Sequence, residues 1–282
     1  MQKYLSFIKF SHTIFALPFA AIGFFLAYKN ADVTSGWTIA VRVLLCMVFA
    51  RNAAMAFNRY ADRHIDKKNP RTAGREIPVG KISPGFALAF SLLNAAAFIL
   101  TTFFINRLCF YLSPIALLLI LGYSFTKRFT SFSHFVLGAG LSLAPIGAYL
   151  SVTGSFSILP VLFSVAVLMW VSGFDIIYAL QDTQFDKESG LRSIPSVVGD
   201  KSALRISVFL HLLCIFSICM AGWMGVFGIS YWLGCLFFTV MIIYQHLVVK
   251  PGDLSKINLA FFTLNGLASL IFSIFVILDI LV

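Results

Sequence analysis

The sequence carries little charge for its length. Only 11% of its 282 residues are Asp, Glu, Lys or Arg, and just 11 residues are acidic. A soluble domain has about 25% charged residues, whereas this chain is 60% hydrophobic and has a mean hydropathy of +0.93. So sparse a charge cannot cover a water-facing surface. The composition excludes an ordinary soluble fold and indicates a chain that is embedded in a membrane along its length.

Cysteine is also scarce, and none of the five cysteines has the spacing of a metal site. They are Cys46, Cys109, Cys214, Cys219 and Cys235, all within apolar stretches. Cysteines in such surroundings behave as small buried hydrophobic residues. We therefore expect neither a disulfide framework nor a thiolate metal centre.

Long apolar runs dominate the rest of the chain. A helix needs about 20 mostly apolar residues to cross a bilayer, and nine segments qualify: 11–29, 37–58, 85–105, 108–126, 132–152, 158–181, 203–224, 228–249 and 258–281. They predict an all-α membrane protein, a nine-transmembrane-helix bundle that forms a single integral membrane domain over residues 1–282. The two long connections, 59–84 and 182–202, are predicted to form cytoplasmic cap loops.

The basic residues fall almost entirely on one side of these spans. Of the 21 Lys and Arg residues, only Lys29 and Arg107 lie on the opposite side, and Arg42 and Arg51 lie within the second span. The positive-inside rule then places the N-terminus in the cytoplasm and the C-terminus outside, in the periplasm, for a multi-pass protein of the cell inner (cytoplasmic) membrane. The net charge of +10 is a topology signal, so we expect contact with membrane lipid and no nucleic-acid partner.

Five of the few acidic residues cluster at the cytoplasmic ends of the second and sixth predicted spans. They are Asp62, Asp66, Asp175, Asp182 and Asp186. At about 100° per residue, a helix places Asp62 and Asp66 on the face of Asn58. The same geometry places Asp182 and Asp186 on the face of Tyr178. Each span thus ends in a polar stripe on an apolar helix.

Such clusters need neutralisation. A carboxylate at the centre of a membrane helix costs about 2.5–3.5 kcal/mol, and neighbouring carboxylates repel one another. Hard oxygen ligands suit Mg²⁺, which takes one or two carboxylates together with substrate phosphates. The two stripes therefore predict a diphosphate site bridged by magnesium. The alternative, solvated residues at span ends, is disfavoured because both motifs share the same-face spacing.

Basic residues on the same side complete the predicted site. Arg71 and Arg75 lie in the first cap loop, Lys127 and Arg128 follow the fourth span, and Ser193 lies in the second cap loop. Arg and Lys can hold the phosphate oxygens that a metal leaves uncovered. We predict that these residues contact the substrate.

These motifs resemble those of UbiA-type intramembrane aromatic prenyltransferases, over nearly the whole chain. The family's N-D-x-x-D-x-x-x-D motif is matched by Asn58, Asp62 and Asp66, and its D-x-x-x-D motif by Asp182 and Asp186. The segments 67–78 (KKNPRTAGREIP) and 190–195 (GLRSIP) resemble family loops. One departure is Arg59, where many members have Asp. With Arg at this position, the chain resembles a bacterial subgroup of the family that is usually labelled 4-hydroxybenzoate polyprenyltransferase. Some members of that subgroup are assigned to the futalosine route to menaquinone.

The resemblance implies an enzyme and an activity. It implies Mg²⁺-dependent transfer of a polyprenyl chain from an isoprenoid diphosphate to the ring of an aromatic acid, 4-hydroxybenzoate or a similar acceptor, in ubiquinone or menaquinone biosynthesis. A futalosine-derived acceptor in menaquinone biosynthesis is the alternative.

The resemblance also implies roles for individual residues. The implied metal ligands are Asp62 and Asp66 for one ion and Asp182 and Asp186 for another; the implied substrate contacts are Asn58, Arg71, Arg75, Lys127, Arg128 and Ser193. Asp182 is the implied base or stabiliser of the cationic intermediate. Tyr178 would stabilise the carbocation through its ring, and Arg51 would hold the acceptor's carboxylate.

Two rival functions remain open on the sequence. A membrane cation transporter could use the aspartate stripes as an ion path, but it should show inverted repeats and broken helices near the midplane. A phosphotransferase using CDP-alcohols would take its aspartates from one compact motif, whereas the two motifs here are far apart in the chain.

Overall fold

The computed structural model describes residues 16–29 and 36–282, which are almost entirely helical. The helices are α1 Leu17–Tyr28, α2 Gly36–Ala61, α3 Arg63–Lys68, α4 Pro84–Phe103, α5 Arg107–Thr126, α6 Ser133–Thr153, α7 Ile158–Ala179, α8 Thr183–Glu188, α9 Ile194–Val198, α10 Asp200–Met224, α11 Ile229–Val248 and α12 Asn265–Leu281. A 3₁₀ turn at Leu180–Asp182 joins α7 to α8, and a π-helical turn at Leu259–Leu264 leads into α12.

Eight of these helices are long and apolar enough to cross a membrane: α2, α4 to α7 and α10 to α12. The shorter α1 is also apolar and covers most of the first predicted span; residues 11–15 of that span lie outside the described residues. The prediction of an all-α membrane protein is confirmed, and the chain is a multi-pass membrane protein. Large apolar side chains such as Leu93, Leu118 and Leu236 are exposed on its outer surface, where lipid would surround them.

The long helices and α1 form a closed ring in which each helix packs against the next. The order around the ring is α2, α4, α5, α6, α7, α10, α11, α12 and α1, which returns to α2. The closest packing joins α6 to α7 and α7 to α10, so α7 is the most enclosed long helix.

Aromatic side chains fill the part of the bundle between α1, α7, α11 and α12. Phe19 lies 5.5 Å from Trp170, and Phe238 lies 5.6 Å from Trp170 and 5.4 Å from Phe272, measured between ring centroids. These tilted contacts are typical of packed aromatic cores. The phenylalanines of this region therefore pack on one another.

The close approach of α1 to α6 depends on one glycine. A Cβ atom built on Gly23 would overlap the backbone carbonyl of Pro145. Small residues at such points let membrane helices approach closely, and packing there replaces the hydrophobic drive that is missing in lipid. Gly23 thus fixes how near α1 can come to α6.

The predicted cap loops are more helical than the sequence suggested. The first begins with α3, and the second contains α8 and α9. Backbone hydrogen bonds explain the first case: the Asp62 amide donates to the Asn58 carbonyl at 2.9 Å, and the Asp66 amide donates to the Asp62 carbonyl at 2.8 Å. The helical pattern therefore continues past the end of α2.

Candidate active site

The two aspartate motifs share one local geometry. Asp62 lies between α2 and α3 with φ −91° and ψ 6°, and Asp182 lies between α7 and α8 with φ −104° and ψ 3°. Both are close to the bridge region of backbone space, which active-site residues often occupy. At the first motif the helical pattern of backbone hydrogen bonds continues through the break. Asp66 and Asp186 follow one turn later, in α3 and α8.

The first cap segment reaches across to the second motif. Arg71 binds Asp182 through two nitrogens, with Nε donating to Oδ1 at 2.9 Å and Nη2 donating to Oδ2. Asn69 Nδ2 also donates to Oδ1, at 3.0 Å, and Arg71 Nη1 donates to the Tyr178 hydroxyl at 3.3 Å. Burial by itself would lower the pKa of Arg71, but hydrogen bonding to Asp182 and the charge of that carboxylate outweigh it and raise the pKa.

The other three predicted metal ligands are also paired with predicted phosphate-binding residues. Arg75 Nη1 lies 2.7 Å from Asp66 Oδ1, Arg128 Nη2 lies 3.4 Å from Asp62 Oδ1, and Lys127 Nζ lies 4.0 Å from Asp186 Oδ2. Together with the Arg71 pair, these contacts match four carboxylates to four cations, one to one. The structure thus gathers both aspartate motifs and all four basic residues into one site.

Asn58 supports the first motif from one turn below. Its side-chain amide donates to Asp62 Oδ2 at 2.9 Å. Burial and the nearby Asp66 carboxylate both raise the pKa of Asp62, and Arg128 only partly opposes them. A further positive charge near Asp62 would stabilise its ionised form and lower its pKa again.

The carboxylates fit a hard divalent cation. Asp66 Oδ2 and Asp186 Oδ2 are buried and have no hydrogen-bond partner in the described part of the chain. A buried carboxylate oxygen without a partner carries a desolvation penalty that a metal ion would remove. Within residues 16–29 and 36–282, no three Asp, Glu, His or Cys side chains converge as a metal site. Mg²⁺ is usually bound by one or two carboxylates together with phosphate oxygens and water, so the two aspartates of each motif suit it.

Two predicted site residues have different surroundings. Arg51 lies within α2, about two turns deeper than Asn58, and is electrostatically coupled to Tyr123 of α5. Ser193 is fully buried and caps α9: its hydroxyl accepts a hydrogen bond from the Ser196 amide at 3.4 Å. The hydroxyl of Ser193 is thus engaged in holding the second cap segment.

The structure adds residues to which the sequence reasoning gave no role. Asn69 lies in a segment that resembled family loops, and this signal could have drawn attention to it. Arg59 is only 3% exposed, and its Nε and Nη1 have no hydrogen-bond partner among the described residues. His134 is fully buried and contacts Asp175; no sequence spacing pointed to that pair.

Two clefts open on this side of the bundle. The smaller, of about 320 Å³, is lined by Ala61, His64 and Arg128 together with the chain at 189–191, so it borders the first motif. The larger, of about 740 Å³, is lined by residues such as Lys187 and Lys201 and contains none of the predicted site residues. Because it is lined by the predicted site residue Arg128, the smaller cleft is the better candidate for the approach to the site.

Known proteins share both this sequence and this fold. The profile of the UbiA prenyltransferase family matches residues 16–267. The 4-hydroxybenzoate octaprenyltransferase of Tolumonas auensis is 32% identical over 223 residues, which cover 79% of this chain and 78% of that protein. The enzyme of the same name from Aeromonas hydrophila is 32% identical over 238 residues, covering 84% of this chain and 82% of the relative.

Solved structures agree. The apo structure of a UbiA homolog from Aeropyrum pernix has a TM-score of 0.85 and 30% identity, covering 95% of this chain and 98% of the other. A UbiA homolog from Archaeoglobus fulgidus, solved bound to GPP and Mg²⁺, has a TM-score of 0.75 and 22% identity over 99% of this chain and 100% of its own; at that identity the likeness supports the fold alone. By sequence, fold and the paired aspartate motifs, the chain belongs to the UbiA prenyltransferase family.

Proposed function

We propose that this protein transfers a polyprenyl chain from an isoprenoid diphosphate to the ring of an aromatic acid, with 4-hydroxybenzoate or a close analogue as the acceptor and Mg²⁺ as the cofactor. The observation that carries the proposal is the one-to-one matching of four carboxylates with four cations across the two motifs. The names of the relatives, 4-hydroxybenzoate octaprenyltransferase, support the acceptor. The A. fulgidus homolog bound to GPP and Mg²⁺ supports the donor and the metal.

The matched charges suit a site that exchanges partners when the donor binds. Asp62 and Asp66 would hold one Mg²⁺, and Asp182 and Asp186 another. The four basic residues, Arg71, Arg75, Lys127 and Arg128, would then turn from the carboxylates to the diphosphate oxygens. The bound metal would neutralise the charge that develops on the departing diphosphate. The four carboxylates and four basic residues cancel in the free site, and in the loaded site the diphosphate would offset most of the positive charge that the two ions add.

Tyr178 borders the place where the allylic cation would form. Its ring lies 4.1 Å from that of Phe261 and 6.3 Å from that of Phe262, between centroids. The Arg71 guanidinium lies over the Tyr178 ring at 5.3 Å in the free protein. When Arg71 moves to the diphosphate, the ring face becomes available to a carbocation, which it would attract electrostatically.

The acceptor would enter on the deeper side of the donor. Arg51 and Asn58 lie on α2 below the first motif, and a guanidinium there suits the carboxylate of an aromatic acid. The surrounding apolar bundle would keep water from the cation.

Residues 1–282 would act as one domain, with the N-terminus and this site facing the cytoplasm, the C-terminus in the periplasm and the bundle in the inner membrane.

A direct assay tests the proposal. Purified protein in detergent or liposomes is given a polyprenyl diphosphate and 4-hydroxybenzoate, with Mg²⁺ or with EDTA, and the products are identified by mass spectrometry. Prenylated 4-hydroxybenzoate is expected only with Mg²⁺. A futalosine-type acceptor offered in parallel decides between the two acceptor classes.

Matched variants sharpen the assay. Asp62→Asn and Asp182→Asn should lose product formation, whereas Asp253→Asn should keep it. Asp253 is an exposed aspartate in a turn, where its side chain binds Ser255. Full activity in either motif variant, or product formation in EDTA, would contradict the proposal. Metal flux into liposomes without product formation would favour a transporter.

A further inference from the structure

A buried histidine contacts Asp175, which lies on α7 about two turns before Asp182. His134 lies in the first turn of α6 and is fully buried, and its Nδ1 is 2.7 Å from Asp175 Oδ2 on α7. On its other side, the Ile194 backbone amide donates to His134 Nε2 at 3.3 Å. The histidine therefore bridges Asp175 and the start of α9.

These contacts fix the tautomer. Since Nε2 accepts the Ile194 amide proton, that nitrogen carries its lone pair, and the neutral imidazole must carry its proton on Nδ1. Nδ1 then donates to Asp175 Oδ2, so Asp175 is the acceptor. Within the described residues no side chain or amide donates to the other oxygen, Oδ1. One oxygen of Asp175, Oδ2, is therefore hydrogen-bonded to His134, and the other, Oδ1, can accept a proton.

Asp175 lies on the same helix as Asp182, below the proposed donor site. It shares the helix face of Tyr178 and Asp182 and lies about 10 Å below Asp182 along α7. Its side chain is 20% exposed, whereas that of His134 is fully buried. Tyr123 of α5 lies within electrostatic range of both Asp62 and Asp175. This position is on the deeper side of the proposed donor site, where the proposed function places the acceptor.

Asp182 is poorly suited to receive a proton. In the free protein Arg71 engages both of its oxygens and Asn69 engages one of them. In the loaded site a metal ion would engage them instead. A carboxylate so stabilised in its charged form is a weak base, because each of these contacts would be lost or weakened on protonation.

We propose that Asp175, oriented by His134, takes the ring proton that the aromatic acceptor loses. The inference rests on the proposed function. The donor's allylic C–O bond breaks and its electron pair leaves with the diphosphate. A ring π pair then forms the new C–C bond. Finally the ring C–H bond breaks: its electron pair restores the aromatic ring, and the proton goes to Asp175 Oδ1. Asp175 is the catalytic base and His134 is its positioning residue.

The isosteric Asp175→Asn variant tests the base. Its amide oxygen still accepts the hydrogen bond from His134, but it cannot take up the proton. The turnover number for the ring product should fall about 10²- to 10⁴-fold, the range for removal of a general base. An acceptor deuterated at the reacting ring position should show a primary isotope effect in the variant. Turnover near the wild-type value without an isotope effect would overturn the proposal.

Donor binding separates a catalytic loss from a folding defect. Thermal stabilisation by Mg²⁺ with a non-hydrolysable prenyl diphosphate analogue should be the same in Asp175→Asn and in the wild type. Loss of this stabilisation would assign Asp175 to donor binding or folding and would also overturn the proposal.

The positioning role of His134 has its own readout. His134→Gln can still donate to Asp175 and accept from the Ile194 amide, whereas His134→Leu can do neither. The Leu variant should lose turnover with little change in the KM for the donor, and the Gln variant should restore it. Equal behaviour of the two variants would refute the role. If the wild-type protein makes no prenylated aromatic product, the proposed function fails; if it does and Asp175→Asn matches it, only this inference fails.

Discussion

Replacing Arg71 with Ala should have opposite effects on the two ligands of the site. In the free protein Arg71 occupies Asp182, which a metal ion would need. Arg71→Ala removes this competitor, so Mg²⁺ alone should bind more tightly. The same variant removes a cation from the diphosphate, so the KM for the donor should rise. A purely structural Arg71 would weaken both.

The magnitude follows from the geometry of the pair. Hydrogen bonds to charged groups contribute about 1.5–3 kcal/mol each to stability. Arg71 makes two to Asp182, whose side chain is only 8% exposed, but the 31% exposure of the Arg71 side chain weakens them. We take about 1.5–3 kcal/mol for the whole contact, and since about 1.4 kcal/mol is tenfold in affinity, Mg²⁺ should bind roughly 10- to 100-fold more tightly.

Calorimetric titration of detergent-solubilised protein with MgCl₂, without donor, measures this effect, and steady-state assays give the KM for the donor. Arg192→Ala is the matched control. Arg192 is also a cap-segment arginine, but its side chain donates to the backbone carbonyl of Phe129 at 3.1 Å and pairs with no carboxylate in the described part of the chain. Weaker Mg²⁺ binding by Arg71→Ala than by the wild type, in the absence of donor, would refute the exchange of partners.

Three further predictions concern other parts of the molecule. Asp186→Asn should lower Mg²⁺-dependent diphosphate release about 100-fold or more, measured by a phosphate-coupled assay, because one metal would lose a charged ligand; unchanged release would exclude this role. Gly23→Val should destabilise the bundle by about 1–3 kcal/mol or more through overpacking, which would lower the thermal transition temperature. Gly122→Val is the control, because a Cβ atom at Gly122 has open space around it. Equal transition temperatures for the two variants would contradict the close packing at Gly23. Lys81 and Val226 are both exposed. A cysteine introduced at Lys81 should react with an impermeant thiol reagent only from the cytoplasmic side, and one introduced at Val226 only from the outer side. The reverse pattern would show that the proposed topology is inverted.

The sequence alone determined the fold class and the family. Apolar runs matched to the thickness of a bilayer must become spanning helices, because lipid leaves no other way to satisfy backbone hydrogen bonds. The motifs around Asp62 and Asp182 could be recognised because helical spacing is a local property. The confirmed membership of the UbiA family follows from the same residues.

The partners of these motifs were decided by the tertiary structure. Arg71 meets Asp182 only because the first cap segment folds back across the end of α7, and His134 meets Asp175 only because α6 packs against α7. The helical cap segments and the buried guanidinium of Arg59 likewise depend on long-range packing. The helical repeat of about 3.6 residues decides which residues share one face of a single helix. Which faces meet depends on how the whole ring closes, and that depends on shape complementarity among many helices at once.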